Sequence, residues 1–261
     1  MTDPAAIAQA GGRPARIEWR AATVAEVIAE TSHAKTLVMD VPGWPGHLAG
    51  QHVDVRLTAE DGYQAQRSYS IASEPSRRTL AITIERLDDG EVSPYLTDAL
   101  GIGDRVELRG PIGGYFVWEP ATGGPLFLVA GGSGIVPLMA MLRTRAAAGA
   151  GVRAEIPATL LYSSRGWEDV IYRDEVAKLT DDPAVTVVQT LTRSQPLGWT
   201  GFMRRIDADM LSEVAPAPSL RPHIYICGPT ALVESAAQIL VDLGHDPARV
   251  KTERFGPTGS P

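Results

Sequence analysis

The sequence predicts a two-unit protein: an antiparallel β-sandwich or small barrel, then an α/β unit built on a parallel sheet. Two observations carry this. Ahead of Ala121-Thr122-Gly123-Gly124-Pro125, short β-type runs alternate with Gly, Pro and Asp turn signals. Beyond that point, continuous apolar runs alternate with helical stretches, the pattern of strands buried on both faces by helices.

In the first unit the runs are residues 35–41, 52–57, 80–86 and 104–109. In the second, an apolar strand at 126–130 leads into a helix that runs through Ala148. A strand at 158–162 precedes a helical stretch over 172–179. A third strand covers 185–190, and a fourth covers 223–227 ahead of a helix over about 231–243. We place the first unit at residues 16–121, the second at 122–261, and a loose Ala- and Gly-rich tail at 1–15.

Composition narrows the function classes. Hydrophobic residues make up 44% of the 261 and charged residues 21%, enough apolar material for a buried core. A net charge of -7 makes nucleic acid a poor partner. Cys227 is the single cysteine, so neither a disulfide framework nor a four-cysteine iron–sulfur cluster is possible. A reducing, cytoplasmic setting is expected. The start of the chain does not read as a signal peptide, and the run at 126–130 is far too short to span a membrane. The five histidines (His33, His47, His52, His223, His245) show no ligand spacing, so no metal is assigned.

Three segments have the chemistry of anion sites. In Arg67-Ser68-Tyr69-Ser70, a strand-borne guanidinium offers a planar fork to a phosphate, Tyr69 a flat face, and Ser70 a small donor. In Gly90-Glu91-Val92-Ser93-Pro94, Ser93 is suited to cap a helix over about 94–100, with Pro94 at its first position and free N–H groups facing a phosphate. In Gly131-Gly132-Ser133-Gly134-Ile135-Val136-Pro137, a glycine loop joins a buried strand to a helix, where a backbone can approach a pyrophosphate. Each segment alone also fits a ligand-free reading: an ordinary exposed strand, a helix start that binds nothing, a structural turn. Together they suggest one ligand per unit, meeting where the units meet.

In order and spacing, these segments resemble the ferredoxin–NADP reductase superfamily, from about Ile17 to Gly256, and especially the branch of reductases serving iron–sulfur oxygenases. The resemblance rests on Arg67-x-Tyr69-Ser70, Gly90-x-Val92-Ser93, Gly110-Pro111-x-Gly113-x-Tyr115-Phe116, Gly132-Ser133-Gly134-x-x-Pro137, Cys227-Gly228-Pro229 and Glu253-x-Phe255. It implies a Greek-key flavin barrel followed by an NAD(P) domain, with FAD as cofactor and NADPH or NADH as co-substrate. It further implies that Arg67 holds a flavin phosphate, Tyr69 packs on the flavin ring with Ser68 beside it, and Ser70 sits near N5. Ile84 and Glu85 line the flavin through their backbone, while Gly90, Val92 and Ser93 cradle the FAD pyrophosphate. Gly132, Ser133, Gly134 and Pro137 meet the dinucleotide. Cys227, Gly228 and Pro229 lie by the nicotinamide, and Glu253 and Phe255 reach the flavin from the chain's end. Ser70, Cys227 and Glu253 are the candidate catalytic residues. Cys227 read alone is also a small buried hydrophobe, and Phe255 also fits a purely structural closing role.

Two departures matter. Relatives in that branch often continue into a cysteine-rich ferredoxin domain, which these residues do not contain. The acceptor is therefore expected to be separate: a ferredoxin, a flavodoxin, a haem or molybdenum enzyme, or a small molecule. Alternatives are a flavin or quinone reductase, and a flavin relay subunit that does not turn over alone. Thr192-Arg193 stands where the family often has a Ser-Arg pair for the NADP 2′-phosphate, with Ser164-Arg165 as a second cationic spot; the Lys-x-Tyr that completes the plant-type site is missing from Leu197-Gly198-Trp199-Thr200-Gly201-Phe202. NADPH is favoured over NADH. Arg77-Arg78 and Arg204-Arg205 read as docking spots for an acidic ferredoxin or as plain solvated surface.

Overall fold

The computed structural model describes residues 17–255; the expected tail at 1–15 lies outside them. The first half holds β1 (Trp19–Ala29), β2 (Ala34–Asp40), β3 (His52–Thr58), β4 (Gln64–Ser70), β5 (Leu80–Glu85) and β6 (Arg105–Ile112). They form one antiparallel sheet in the order β4-β3-β6-β1-β2-β5. The second half runs β7 (Leu126–Gly131), α1 (Ile135–Ala147), α2 (Ala150–Glu155), β8 (Ala158–Gly166), α3 (Arg173–Lys178), β9 (Val185–Ser194), α4 (Ala208–Val214), β10 (His223–Pro229), α5 (Thr230–Asp242) and β11 (Val250–Phe255). Its five strands are all parallel, in the order β11-β10-β7-β8-β9.

Side-chain alternation explains the packing. On β5, Leu80, Ile82 and Ile84 fill the barrel interior together with Leu37 and Met39 of β2. The intervening Ala81 of β5, with Ala34 and Val38 of β2, turns the other way and joins Leu126, Leu128, Ala130 and α1 of the second half in a second cluster. Both faces of β2 and β5 are thus buried. The far face of the parallel sheet (Phe127, Val129, Leu161, Ile224, Ile226) is covered by Met210 and Leu211 of α4 and Val233, Ala236 and Leu240 of α5.

Polar contacts stitch the same interface. Thr36 Oγ1 and Thr83 Oγ1 are 2.7 Å apart, and Thr83 also bonds the Tyr172 hydroxyl across the boundary. Arg143 of α1 donates to the Ala72 carbonyl of the first half at 2.6 Å and pairs with Glu175. Tyr225 donates to the Val117 carbonyl at 2.8 Å. Tyr172 adopts a left-handed φ of 59°, unusual for a bulky residue and sustained here by full burial of its ring.

One expected element differs. The helix expected over 94–100 is a short helical stretch, 93–99, that ends in a five-residue π-helical turn, Tyr95–Ala99, and Ser93 is part of it rather than its side-chain cap. Ser93 Oγ turns backward and accepts the Leu87 N–H at 3.0 Å, so it is unavailable as a forward cap. So short a helical stretch also sums little backbone dipole for the expected helix-end phosphate site. The strand at 185–190 proves longer, through Ser194, and that at 158–162 extends to Gly166. β1, β11, α2 and α4 are further elements that the sequence pattern does not mark out.

Candidate active site

The topology itself locates a crevice. The chain moves outward from β7 to β8 to β9, then returns to place β10 on the other side of β7. In open parallel sheets, ligands lie outside the carboxyl ends of the strands where the order reverses. Gly131–Gly134 and Cys227–Pro229 flank that point.

Their glycines are there because backbones touch. A Cβ on Gly134 would lie 2.1 Å from the Cys227 carbonyl oxygen, and one on Gly228 would lie 3.2 Å from the Gly131 Cα. Gly132 has φ +54°, and a Cβ there would lie 3.9 Å from Glu85 Oε2 of the first half. Residues 132–134 form one 3₁₀ turn, after which α1 begins, with Pro137 buried in its first turn. Ser133 stays partly exposed at the mouth.

The β10–β11 ladder sets Cys227 beside Glu253 and Pro229 beside Phe255. Cys227 is 3% exposed, and burial, helped by the Glu253 charge, pushes its thiol well up, so it stays a neutral S–H. Burial pushes Glu253 up to about 7. Its Oε2 is buried with no hydrogen-bond partner, while Oε1 lies 3.9 Å from Nδ1 of His52. His52 opens β3 and stands opposite Ser70 in the β3–β4 ladder. Burial lowers the His52 pKa, which favours the neutral imidazole. Thus Ser70 and His52 from the barrel and Cys227 and Glu253 from the parallel sheet converge on one cleft. Sequence reading missed His52, because its relevance depends on strand register and not on spacing along the chain.

On β4, alternation puts Arg67 and Tyr69 on one face. Tyr69 is half-buried against the barrel core, and burial raises its hydroxyl to about 12. The exposed Arg67 reaches Glu91 Oε2 at 3.4 Å, so the first two expected anion segments meet in space. Ser68 points to the other face and donates to Asp54 Oδ1 at 2.7 Å. There burial pushes Asp54 up, but the Ser68 hydroxyl and Arg109 outweigh it and hold the carboxyl below its usual range. Ile84 lies in the barrel core, whereas Glu85 faces the glycine turn. Gly90 is tightly placed: a Cβ there would lie 2.9 Å from Ser93 Oγ and 3.1 Å from the Leu87 carbonyl, with Val92 buried alongside.

At the far end of the parallel sheet, Ser164 pairs with Leu191 and Gly166 with Ser194, so one residue of β8 opposes two of β9. The bulge sets Arg165 level with Thr192 and Arg193. Thr192 Oγ1 donates to the Ser164 carbonyl at 3.3 Å, and the buried Ser164 hydroxyl has no partner. Among the described residues, Arg165 and Arg193 are in no ion pair. Also among them, no three His, Cys, Asp or Glu are grouped to hold a metal, and no helix is long and apolar enough to cross a membrane.

Comparison with known proteins matches this layout. Residues 22–117 match the oxidoreductase FAD-binding domain and residues 128–238 the oxidoreductase NAD-binding domain. The glycine betaine monooxygenase reductase subunit of Pseudomonas aeruginosa is 32% identical over 238 residues, 89% of this chain; the chain spans 63% of that relative's length. NADH-cytochrome b5 reductase 1 of Aspergillus terreus is 31% identical over 216 residues, covering 80% of this chain and 71% of the relative. The crystal structure of an Amycolatopsis cytochrome P450 reductase superposes with a TM-score of 0.79 at 26% identity, covering 93% of this chain and 71% of the other.

Proposed function

Because the chain belongs to the ferredoxin reductase-like family of oxidoreductases, with an FAD-binding domain followed by an NAD-binding domain, we propose that it is a reductase that takes electrons from NADPH, or less readily NADH, and delivers them singly to a separate acceptor protein. That acceptor is a ferredoxin-like or oxygenase-type partner, in line with the names of the reductase relatives. We take residues 16–121 as the flavin unit, 122–261 as the dinucleotide unit, and the cytoplasm as the working compartment.

One observation carries the reading: Ser70 and His52 of one half face Cys227 and Glu253 of the other across a cleft at the sheet's reversal point. A planar cofactor from each half would meet there. The residues fit FAD on two counts. The Glu253 Oε2 atom is buried with its hydrogen-bonding capacity unspent, and Arg67 offers an exposed fork held only by the equally exposed Glu91. They fit a dinucleotide through the open Gly132 position, the partly exposed Ser133, and Arg165 and Arg193, which are in no ion pair among the described residues. When bound, FAD supplies acceptance of a hydride and release of single electrons. The protein's own task is placement and exclusion of water. Tyr69 presents its ring and Arg67 anchors a phosphate. Gly132–Gly134 admit the dinucleotide backbone. Glu253 and Ser70 hold hydrogen-bonding groups at the ring edge, and Phe255 shields it.

The test is anaerobic titration of flavin-loaded protein with each dinucleotide, followed by mixing with candidate acceptor proteins. Bleaching of the flavin by NADPH and its reoxidation by one of those proteins is the expected result. Purified protein that takes up no FAD on reconstitution defeats the reading.

A further inference from the structure

Glu91 sits inside the expected phosphate cradle, where a negative charge opposes the ligand, and both its oxygens are engaged. Oε1 accepts the Tyr63 hydroxyl at 3.0 Å and Oε2 accepts from Arg67 Nη2 at 3.4 Å. Arg67 is steadied by a second bond, from Nη1 to the Gln66 carbonyl at 2.7 Å. The Tyr63 phenol is pushed up by its bond to Glu91 and by that charge. Tyr63 comes from the β3–β4 turn, Arg67 from β4, and Glu91 from the turn after β5, so the carboxylate ties three segments together. The side chains of Arg67 and Glu91 are 55% and 53% exposed, so Glu91 is free to swing into solvent without disturbing the core.

We propose that Glu91 is a built-in competitor of the flavin phosphate: its carboxylate occupies the Arg67 fork and the Tyr63 hydroxyl when the site is empty, and must be displaced when FAD binds. The inference rests on the FAD reading above. A carboxylate and a phosphate oxygen pair present the same acceptor chemistry to a guanidinium and a phenol. Binding of the cofactor therefore exchanges one anion for another on Arg67, and leaves a displaced negative charge near the incoming phosphates. Both effects lower the affinity for FAD and speed its release, which makes the flavin of this protein exchangeable.

Flavin-stripped full-length protein is titrated with FAD and with riboflavin, read by flavin fluorescence, for the unaltered chain and for Glu91→Gln. Glutamine keeps the size and an acceptor for Tyr63 and removes the charge. The expected result is a Kd for FAD about five-fold lower in Glu91→Gln, the scale of one exposed ion pair. Riboflavin, which has no phosphate, is expected to bind both proteins alike, with immeasurable binding to both counted as alike. In an Arg67→Ala background the gain from Glu91→Gln is expected to shrink. Unchanged or weaker FAD binding by Glu91→Gln overturns the proposal. So does an equal gain for riboflavin, or a gain that persists in full without Arg67. If the unaltered chain itself binds no FAD, the reading of function fails with it; if it binds FAD and Glu91→Gln brings no gain, only the role of Glu91 fails.

Discussion

Two side chains set the energetics of the cleft. Arg67 is the exposed guanidinium beside the Gly90 turn. If it holds the flavin phosphate as proposed, replacing it with Ala removes a charge-assisted contact worth about 1.5–3 kcal/mol, so the Kd for FAD should rise roughly 10- to 150-fold, as read by fluorescence titration. Glu253 gives a pH signature. Its folded pKa of about 7 lies above its ordinary 4.5, so between those values the folded state holds a proton that the unfolded chain has released. That group's contribution to stability therefore falls as pH rises from about 4.5 to about 7 and stays low above. Glu253→Gln should remove this slope. In denaturant melts of flavin-free protein, the variant should gain about 2 kcal/mol on the unaltered chain between pH 5 and pH 8. His52, with its lowered pKa, contributes a slope of the opposite sign in both proteins.

At the level of elements, the close approach of two strand ends is decisive. Gly134 has no room for a methyl group: the obstacle is the Cys227 carbonyl, which is backbone fixed in the β10 ladder and cannot rotate away. Gly134→Ala should destabilise the protein by about 3 kcal/mol, the upper range for overpacking, and weaken dinucleotide binding, read by thermal melting and by titration. The β8–β9 bulge makes a different claim. It sets two unpaired arginines level at the sheet's carboxyl end, suited to an extra phosphate. Arg193→Ala should raise the KM for NADPH about ten-fold or more while leaving that for NADH within about two-fold, since one charge-assisted contact is lost only for the phosphorylated ligand. Equal changes would remove Arg193 from 2′-phosphate recognition.

The strand–helix rhythm of the second half was legible because β7 is apolar along its whole length and β8, β9 and β10 each carry an apolar run, as burial on both faces requires. The Phe127–Val129 and Leu126–Leu128 alternation serves two different cores, yet leaves one continuous apolar word in the sequence. β1 is hard to read because Trp19-Arg20-Ala21-Ala22 mixes a Trp and an Arg with small residues; Arg109 of the neighbouring β6 and Arg56 of β3 beyond it cover the Trp19 ring. The helical stretch at 93–99 was legible because Ser93-Pro94 has the local chemistry of a helix start; its missing cap was not, since the Leu87 N–H that captures Ser93 lies upstream. Among site residues, Arg67, Tyr69 and the glycines stand in recognisable runs. His52 does not, since its partners Ser70 and Glu253 are brought to it only by pairing and domain contact.

For the molecule as a whole, the boundary between halves is a core and not a hinge. Ala34, Val38, Ala81, Phe116 and Trp118 pack with α1 and the parallel sheet, and the Thr36–Thr83–Tyr172 chain of hydroxyls crosses within it. Tyr172→Phe deletes the crossing bond and leaves Thr83 bonded to Thr36. A loss of about 1 kcal/mol is expected, together with faster amide hydrogen exchange in β2 and β5 than in the interior of the parallel sheet. Uniform exchange in both halves would show that the hydroxyl chain does not hold them together.

The double-sided burial of β2 and β5 also governs traffic. Prising the halves apart would wet both apolar surfaces at once, a costly motion to repeat in every turnover. A planar ligand of the cleft would therefore enter along its rim and not by separation of the halves. Phe255, at the end of the outermost strand beside Pro229 and 37% exposed, is an aromatic ring on that rim.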